Sequence, residues 1–89
     1  MELYLSTIVE MAIYWTPRGL MPCDGRKLHV REHQALFSLL GNMYGGDGYN
    51  DFALPDERPL DENGNRRPWR QDELKKFIVV EGLYPSRED

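Results

Sequence analysis

The chain has 89 residues, which is enough for one small domain over residues 1–89 and too few for two separate cores. Apolar residues make up 40% and charged residues 29%, and no apolar run could cross a bilayer, so we expect a soluble protein with no membrane partner. The net charge of −4 argues against nucleic acid as a partner, because binding to phosphates needs clustered Lys and Arg.

The first predicted element is a strand within residues 3–15. These residues are mostly apolar or β-branched, and from Val9 onward the odd positions alternate with more polar ones, as in a half-buried strand. The strand should end at Pro17 and Gly19, because proline cannot occupy a central strand and glycine permits a turn. A small core needs bulky side chains, and those expected in it are Trp15, Phe37, Phe52 and Phe77.

A hairpin is the second predicted element. Asp24 and Gly25 form a pair suited to a tight turn, and they separate the apolar segment 20–23 from residues 27–30. The Asp24 carboxylate should accept backbone hydrogen bonds in that turn. Cys23, the only cysteine, cannot form an intrachain disulfide, and its acidic neighbour disfavours the thiolate, so we predict a buried structural residue.

The clearest helix is predicted next. Leu36, Leu39, Leu40 and Met43 have the spacing of one apolar stripe, so the helix should begin near residue 31 or 32 and end at Gly41 or Asn42. His29 and His33 precede or open this helix, but no third ligand is apparent nearby. We therefore predict no metal site and no cofactor.

A glycine-rich loop (residues 44–51) follows. Gly45, Gly46 and Gly48 permit positive φ angles, Asp47 can accept hydrogen bonds from nearby amides, and Tyr44 and Tyr49 are expected to pack over the core. The loop lacks the Lys-Ser or Lys-Thr of a phosphate-binding loop and the terminal glutamate of a calcium-binding loop. We interpret it as a structural loop.

The next stretch is a polar segment (residues 56–73), which is predicted to be exposed because nearly all of it is charged, Pro, Gly or Asn. It follows Leu54 and Pro55 and begins at Asp56, where we expect a second turn stabilised by a carboxylate. An Arg–Trp patch within the polar segment is the candidate interaction surface; it comprises Arg66, Arg67, Trp69 and Arg70. A final buried strand is predicted around residues 77–80, which gives an α+β fold: a small mixed sheet with a hairpin, one main helix and a C-terminal strand.

Four segments of the chain together resemble the phage tail collar domain family. They are Thr-Pro-Arg-Gly-Leu-Met-Pro-Cys-Asp-Gly at 16–25, Gln-Ala-Leu-Phe-Ser-Leu-Leu-Gly at 34–41, Tyr-Gly-Gly-Asp-Gly at 44–48 and Phe-Ala-Leu-Pro-Asp at 52–56. Residues 82–87 are similar to the end of longer members. The resemblance departs at Leu20, where the family usually has tryptophan, and after Asp56, where a large receptor-binding insertion of longer members is missing.

The resemblance implies a structural or attachment module of a phage or prophage tail that acts by protein–protein binding. Fibre analogy implies a homotrimer, and the location would be the virion tail. The alternative is a free-standing regulatory protein that blocks a host protein in the host cytoplasm. An enzyme acting on a cell-surface polymer would need two carboxylates facing a cleft, and no pattern in the sequence selects such a pair, so we predict no catalytic residues.

Overall fold

The computed structural model of the protein describes residues 3–86 and has an α+β fold. Arg87, at the end of the predicted family-like closing segment, lies outside these residues. The strands in chain order are β1 (Ile8–Met11), β2 (Leu20–Pro22), β3 (Lys27–His29), β4 (Asp51–Ala53) and β5 (Lys75–Val79). One 3₁₀ turn (Val30–Glu32) and one helix, α1 (Gln34–Leu40), lie between β3 and β4.

Strand β5 is the centre of a three-stranded antiparallel sheet with the order β1-β5-β2. Phe77 is opposite Val9 in β1 and Pro22 in β2, so β5 has a neighbour on each side. Consecutive residues of β5 point to opposite faces, and Phe77, Ile78 and Val79 are all buried, which means that both faces of the strand are covered. The prediction of a buried final strand is confirmed.

The predicted hairpin around Asp24 and Gly25 is wrong. Strand β2 pairs with β5, whereas β3 pairs with β4 in a separate two-stranded sheet in which Leu28 is opposite Phe52. The backbone N–H of Cys23 still bonds to the first sheet, through the carbonyl of Lys76. The turn therefore takes the chain from one sheet into the other instead of folding it back on itself.

Helix α1 is shorter than its apolar stripe predicts. His33 has φ −136° and ψ 48°, outside helical geometry, so residues 30–32 form a separate 3₁₀ turn and α1 begins at Gln34. The helix ends where predicted, at Gly41, whose φ of 58° is a conformation that glycine adopts readily. Met43 lies beyond this end and is 70% exposed, so it is not part of the buried stripe.

The core is built from both sheets and the helix. One contiguous cluster of buried residues comprises Cys23, Leu28, Leu36, Phe52, Leu54 and Ile78. The rings of Phe37 and Phe52 pack with their centroids 5.3 Å apart at a tilt of 57°.

Two predictions about aromatic core residues are wrong. Trp15 is 57% exposed, because β1 ends at Met11 and the following residues leave the sheet. Tyr44 and Tyr49 are exposed as well, Tyr49 by 86%, since the glycine-rich loop approaches β4 through its backbone and not through its tyrosines.

Candidate interaction surfaces

Asp47 organises the glycine-rich loop with its carboxylate. Oδ1 accepts hydrogen bonds from the backbone N–H groups of Tyr49 and Asn50, both at 2.8 Å, and of Asp51 at 3.1 Å. In return, Oδ1 of Asp51 accepts the N–H of Asp47 at 2.9 Å. The expected role of Asp47 as an acceptor for nearby amides is confirmed.

These hydrogen bonds make the loop sensitive to acid. The N–H groups of Tyr49, Asp51 and Asn50 favour the charged carboxylate and lower the pKa of Asp47 to about 2, from 3.8. A lowered pKa in the folded state stabilises the protein above the unfolded pKa, and this stabilisation is lost as the pH falls from about 4 to about 2.

We therefore expect the difference in Tm between the wild type and Asp47→Asn to stay constant above about pH 5 and to shrink between about pH 4 and pH 2. The amide keeps an acceptor oxygen but does not titrate, so it isolates the contribution of the charge. Thermal unfolding followed by circular dichroism across this range provides the measurement. A difference in Tm that is unchanged down to pH 2 would contradict a lowered pKa of Asp47 in the folded protein.

The loop also covers the outer side of β4. The N–H of Ala53 donates to the carbonyl of Gly45 at 3.0 Å, and the N–H of Gly48 donates to the carbonyl of Asp51 at 3.0 Å. Gly46 has φ +93°, and a Cβ there would lie only 2.6 Å from Cα of Phe52. The close approach explains why a residue without a side chain occupies this position.

Two matching Asp–Arg turns face each other where the sheets meet. Asp24 accepts the backbone N–H of Arg26 at 3.2 Å and its guanidinium at 3.0 Å through both oxygens. Asp56 holds Arg58 in the same way, at 3.2 Å from the backbone and at 2.9 and 2.8 Å from the guanidinium. An antiparallel bridge joins Asp24 to Asp56. Both predicted carboxylate turns are confirmed, and each carboxylate is already neutralised by its own arginine.

The surroundings of Cys23 disfavour a nucleophilic role. The residue is fully buried, and its carbonyl accepts the N–H of Glu57 at 2.8 Å. Burial, followed by the negative charges of Glu57 and Asp24, raises the pKa of the Cys23 thiol to about 11. The side chain therefore stays protonated at neutral pH and acts as a small core residue, as predicted.

The turn at Pro17 and Gly19 closes the end of the three-stranded sheet. The N–H of Leu20 donates to the carbonyl of Pro17 at 3.2 Å. Gly19 has φ +83°, and its carbonyl accepts hydrogen bonds from the N–H groups of Val80 at 2.8 Å and Glu81 at 3.2 Å. The predicted turn is present, and it ties the start of β2 to the end of β5.

Most side chains of the Arg–Trp patch contact other parts of the protein. Trp69 is half-buried and packs against the core cluster. Arg67 forms a two-pronged ion pair with Glu73, with both contacts at 2.7 Å, and Nη1 of Arg66 donates to the carbonyl of Arg58 at 2.6 Å. The bonds from Arg67 and from the N–H of Arg70 lower the pKa of Glu73 to about 2.

Exposed aromatic side chains were not anticipated as surface features. Tyr14 and Trp15 are both exposed in the connection between β1 and β2. The signal available in the sequence was their place directly before Thr16 and Pro17, where the strand had to end. Large exposed aromatic rings are favoured at protein–protein contacts.

Two open clefts accompany these surfaces. One, of about 480 Å³, lies beside Gly19, Leu20 and Leu83, and the other, of about 420 Å³, lies between His29, Arg31 and Tyr49. Within residues 3–86 no three His, Cys, Asp or Glu side chains are grouped so that they could hold a metal ion. None of the helices in the same residues has the length and apolar character needed to cross a membrane.

Comparison with known proteins gives one match. The family model of the phage tail collar domain matches residues 6–60, which include β1 to β4, α1 and both Asp–Arg turns. No curated protein and no solved structure matches the chain. Because the model covers more than half of the residues, the chain belongs to the phage tail collar domain family.

Proposed function

We propose that this protein is a structural module of a phage tail that binds other tail proteins during assembly or attachment. The observation that carries the proposal is the family match over residues 6–60. The buried thiol of Cys23 and the arginine-paired carboxylates of Asp24 and Asp56 agree with a structural role, because these groups stabilise the fold and leave no free acid–base pair among them. The proposal treats residues 1–89 as one domain.

The contact surface is proposed to include the polar segment. Its turns are anchored by Arg58 and Arg67, so it presents a shaped surface. Leu60 and Leu74 are exposed near its two ends, and Arg70 is exposed between them. A surface that exposes apolar side chains among charges of both signs suits a protein partner.

The proposal is tested by locating the protein in purified particles. Phage that encodes an epitope-tagged copy of the chain is grown, and the particles are separated on a density gradient. The tag should sediment with intact particles, and crosslinking followed by mass spectrometry should join it to a tail protein. A parallel phage that expresses the tagged chain with Leu60→Ala and Arg70→Glu, both at exposed positions, measures the contribution of the polar segment, and we expect less tag per particle.

The same experiment distinguishes the structural function from the alternative, a regulatory protein that blocks a host protein. If the tag stays entirely in the soluble fraction and crosslinks to one host protein, the structural proposal fails and the regulatory function takes its place. If the tag is in particles but the double substitution leaves its amount unchanged, the tail function stands and the polar segment is not the contact surface.

A further inference from the structure

Strand β1 has an open outer edge. Its inner side pairs with β5, and the bond from the N–H of Val79 to the carbonyl of Thr7 shows which residues point inward. Because backbone groups alternate in direction along an antiparallel pair, the N–H and C=O groups of Ile8 and Glu10 point outward. Within residues 3–86 no other strand lies on that side.

Strand β3 has the second open edge. The bonds from Leu54 to Arg26 and from Val30 to Asn50 show that the even-numbered residues face β4. The backbone groups of Lys27 and His29 therefore point away from the sheet. Both side chains are exposed, whereas that of Leu28 between them is buried.

The other two edges are closed. On β2, Pro22 has no N–H to donate, and the N–H of Leu20 is used by Pro17. On β4, the N–H groups of Asp51 and Ala53 are used by the glycine-rich loop. The described part of the chain has four outer edges. Of these, only β1 and β3 offer both free N–H groups and free C=O groups along the edge, so only these two can hydrogen-bond fully to a further strand.

We propose that the protein associates with further copies of itself head to tail, with β1 of one copy pairing antiparallel to β3 of the next. The charges of the two edges are complementary: β1 carries Glu10, and β3 carries Lys27. The inference rests on the proposed function only in requiring a protein-binding role, and it names a second copy of this chain as one partner.

One register satisfies the backbone and the side chains together. Glu10 lies opposite Lys27 of the next copy and Ile8 lies opposite His29, so all the outward N–H and C=O groups of these residues are paired. The opposite charges then face each other on the exposed side of the joined sheets. Between them, half-buried Val9 lies opposite buried Leu28, which keeps both inner faces apolar.

Pairing of two different edges has a consequence for symmetry. A contact between β1 and β3 uses a different surface on each copy, so every copy in the assembly retains one free edge of each kind until a ring closes. The contact can therefore build closed rings or longer linear assemblies. A symmetric dimer would instead pair β1 with β1 and would bring two Glu10 carboxylates together.

Charge exchange at the two edges tests this arrangement. Analytical ultracentrifugation over a concentration series should show mass increasing for the wild type. Glu10→Lys and Lys27→Glu should each weaken association by about tenfold, because each replaces an attractive cross-strand pair by a repulsive one. The double variant Glu10→Lys/Lys27→Glu restores an attractive pair at every contact and should return to within about threefold of the wild type.

The control is Glu62→Lys, which makes the same charge change at an exposed position of the polar segment and should leave association unchanged. Circular dichroism confirms that each variant is folded. A monomeric wild type, insensitivity to both single substitutions, or failure of the double variant to recover would each overturn the inference. In any of these cases, sedimentation of the tagged chain with phage particles would still support the proposed function.

Discussion

Phe52→Ala is expected to lower the free energy of unfolding by about 3–5 kcal/mol. Phe52 is fully buried, lies opposite Leu28 in the two-stranded sheet and packs its ring against Phe37. Removal of the ring leaves a cavity where the small sheet meets α1, and the backbone there is held by the glycine-rich loop, so the site cannot collapse to fill it. Domains of this size have a total stability of about 5–15 kcal/mol, so the variant should lose a large part of it.

Urea denaturation followed by circular dichroism measures this loss. The matched control is Tyr49→Ala, which removes an aromatic ring from a side chain that is 86% exposed and should change stability by less than about 0.5 kcal/mol. Equal effects at the two positions would mean that Phe52 is not the centre of the core.

Gly46→Ala is expected to have the second-largest effect. A Cβ at Gly46 would lie 2.6 Å from Cα of Phe52 and 2.8 Å from the carbonyl oxygen of Asp51, and both of these atoms belong to the backbone of β4. The residue also has φ +93°, a conformation that costs alanine about 1–3 kcal/mol by itself. The loop would have to separate from β4, and the hydrogen bond between Ala53 and Gly45 would be lost.

Gly64→Ala separates the cost of a positive φ angle from the steric cost of the added Cβ. Gly64 has φ +81°, but a Cβ there would have no atom within 4 Å, so its replacement reports the conformational cost alone. We expect Gly46→Ala to be more destabilising than Gly64→Ala by at least about 2 kcal/mol in the same urea experiment. Similar losses for both variants would show that the approach of the loop to β4 is not a tight constraint.

Local features of the fold were predictable where local chemistry decides them. Asp24 and Asp56 were expected to accept backbone bonds because an aspartate can bond to an amide two residues along, and both do so. The apolar run at 77–79 was expected to be buried, because a strand without polar alternation needs cover on both faces. These outcomes depend on a few neighbouring residues.

Strand pairing was not predictable in the same way. Asp24 and Gly25 are as suitable for a turn between two sheets as for a hairpin. The outcome is decided by β5, which is distant in the sequence and pairs with β2 in place of β3. The exposure of Trp15 was not predictable for a related reason, since alternation continues to Trp15 in the sequence although the pairing with β5 ends at Met11.

The candidate surfaces were predictable only in part. The composition around Trp69 marked an exposed polar segment, but it did not show that Glu73 would bind Arg67 and that the indole would pack on the core. The open edges of β1 and β3 depend on which strands are neighbours, so no local pattern could have distinguished them from the closed edges of β2 and β4.

The central place of β5 constrains the order of folding during synthesis. Residues 27–53 contain β3, α1 and β4, so this part can form its contacts as soon as it leaves the ribosome. Strands β1 and β2 have no partner until β5 has been translated, because each pairs with β5 and not with the other. Their apolar side chains are then accessible to chaperones and proteases during that interval. We expect closure of the β1–β5 pair to be the slow step of folding, because it joins distant parts of the chain.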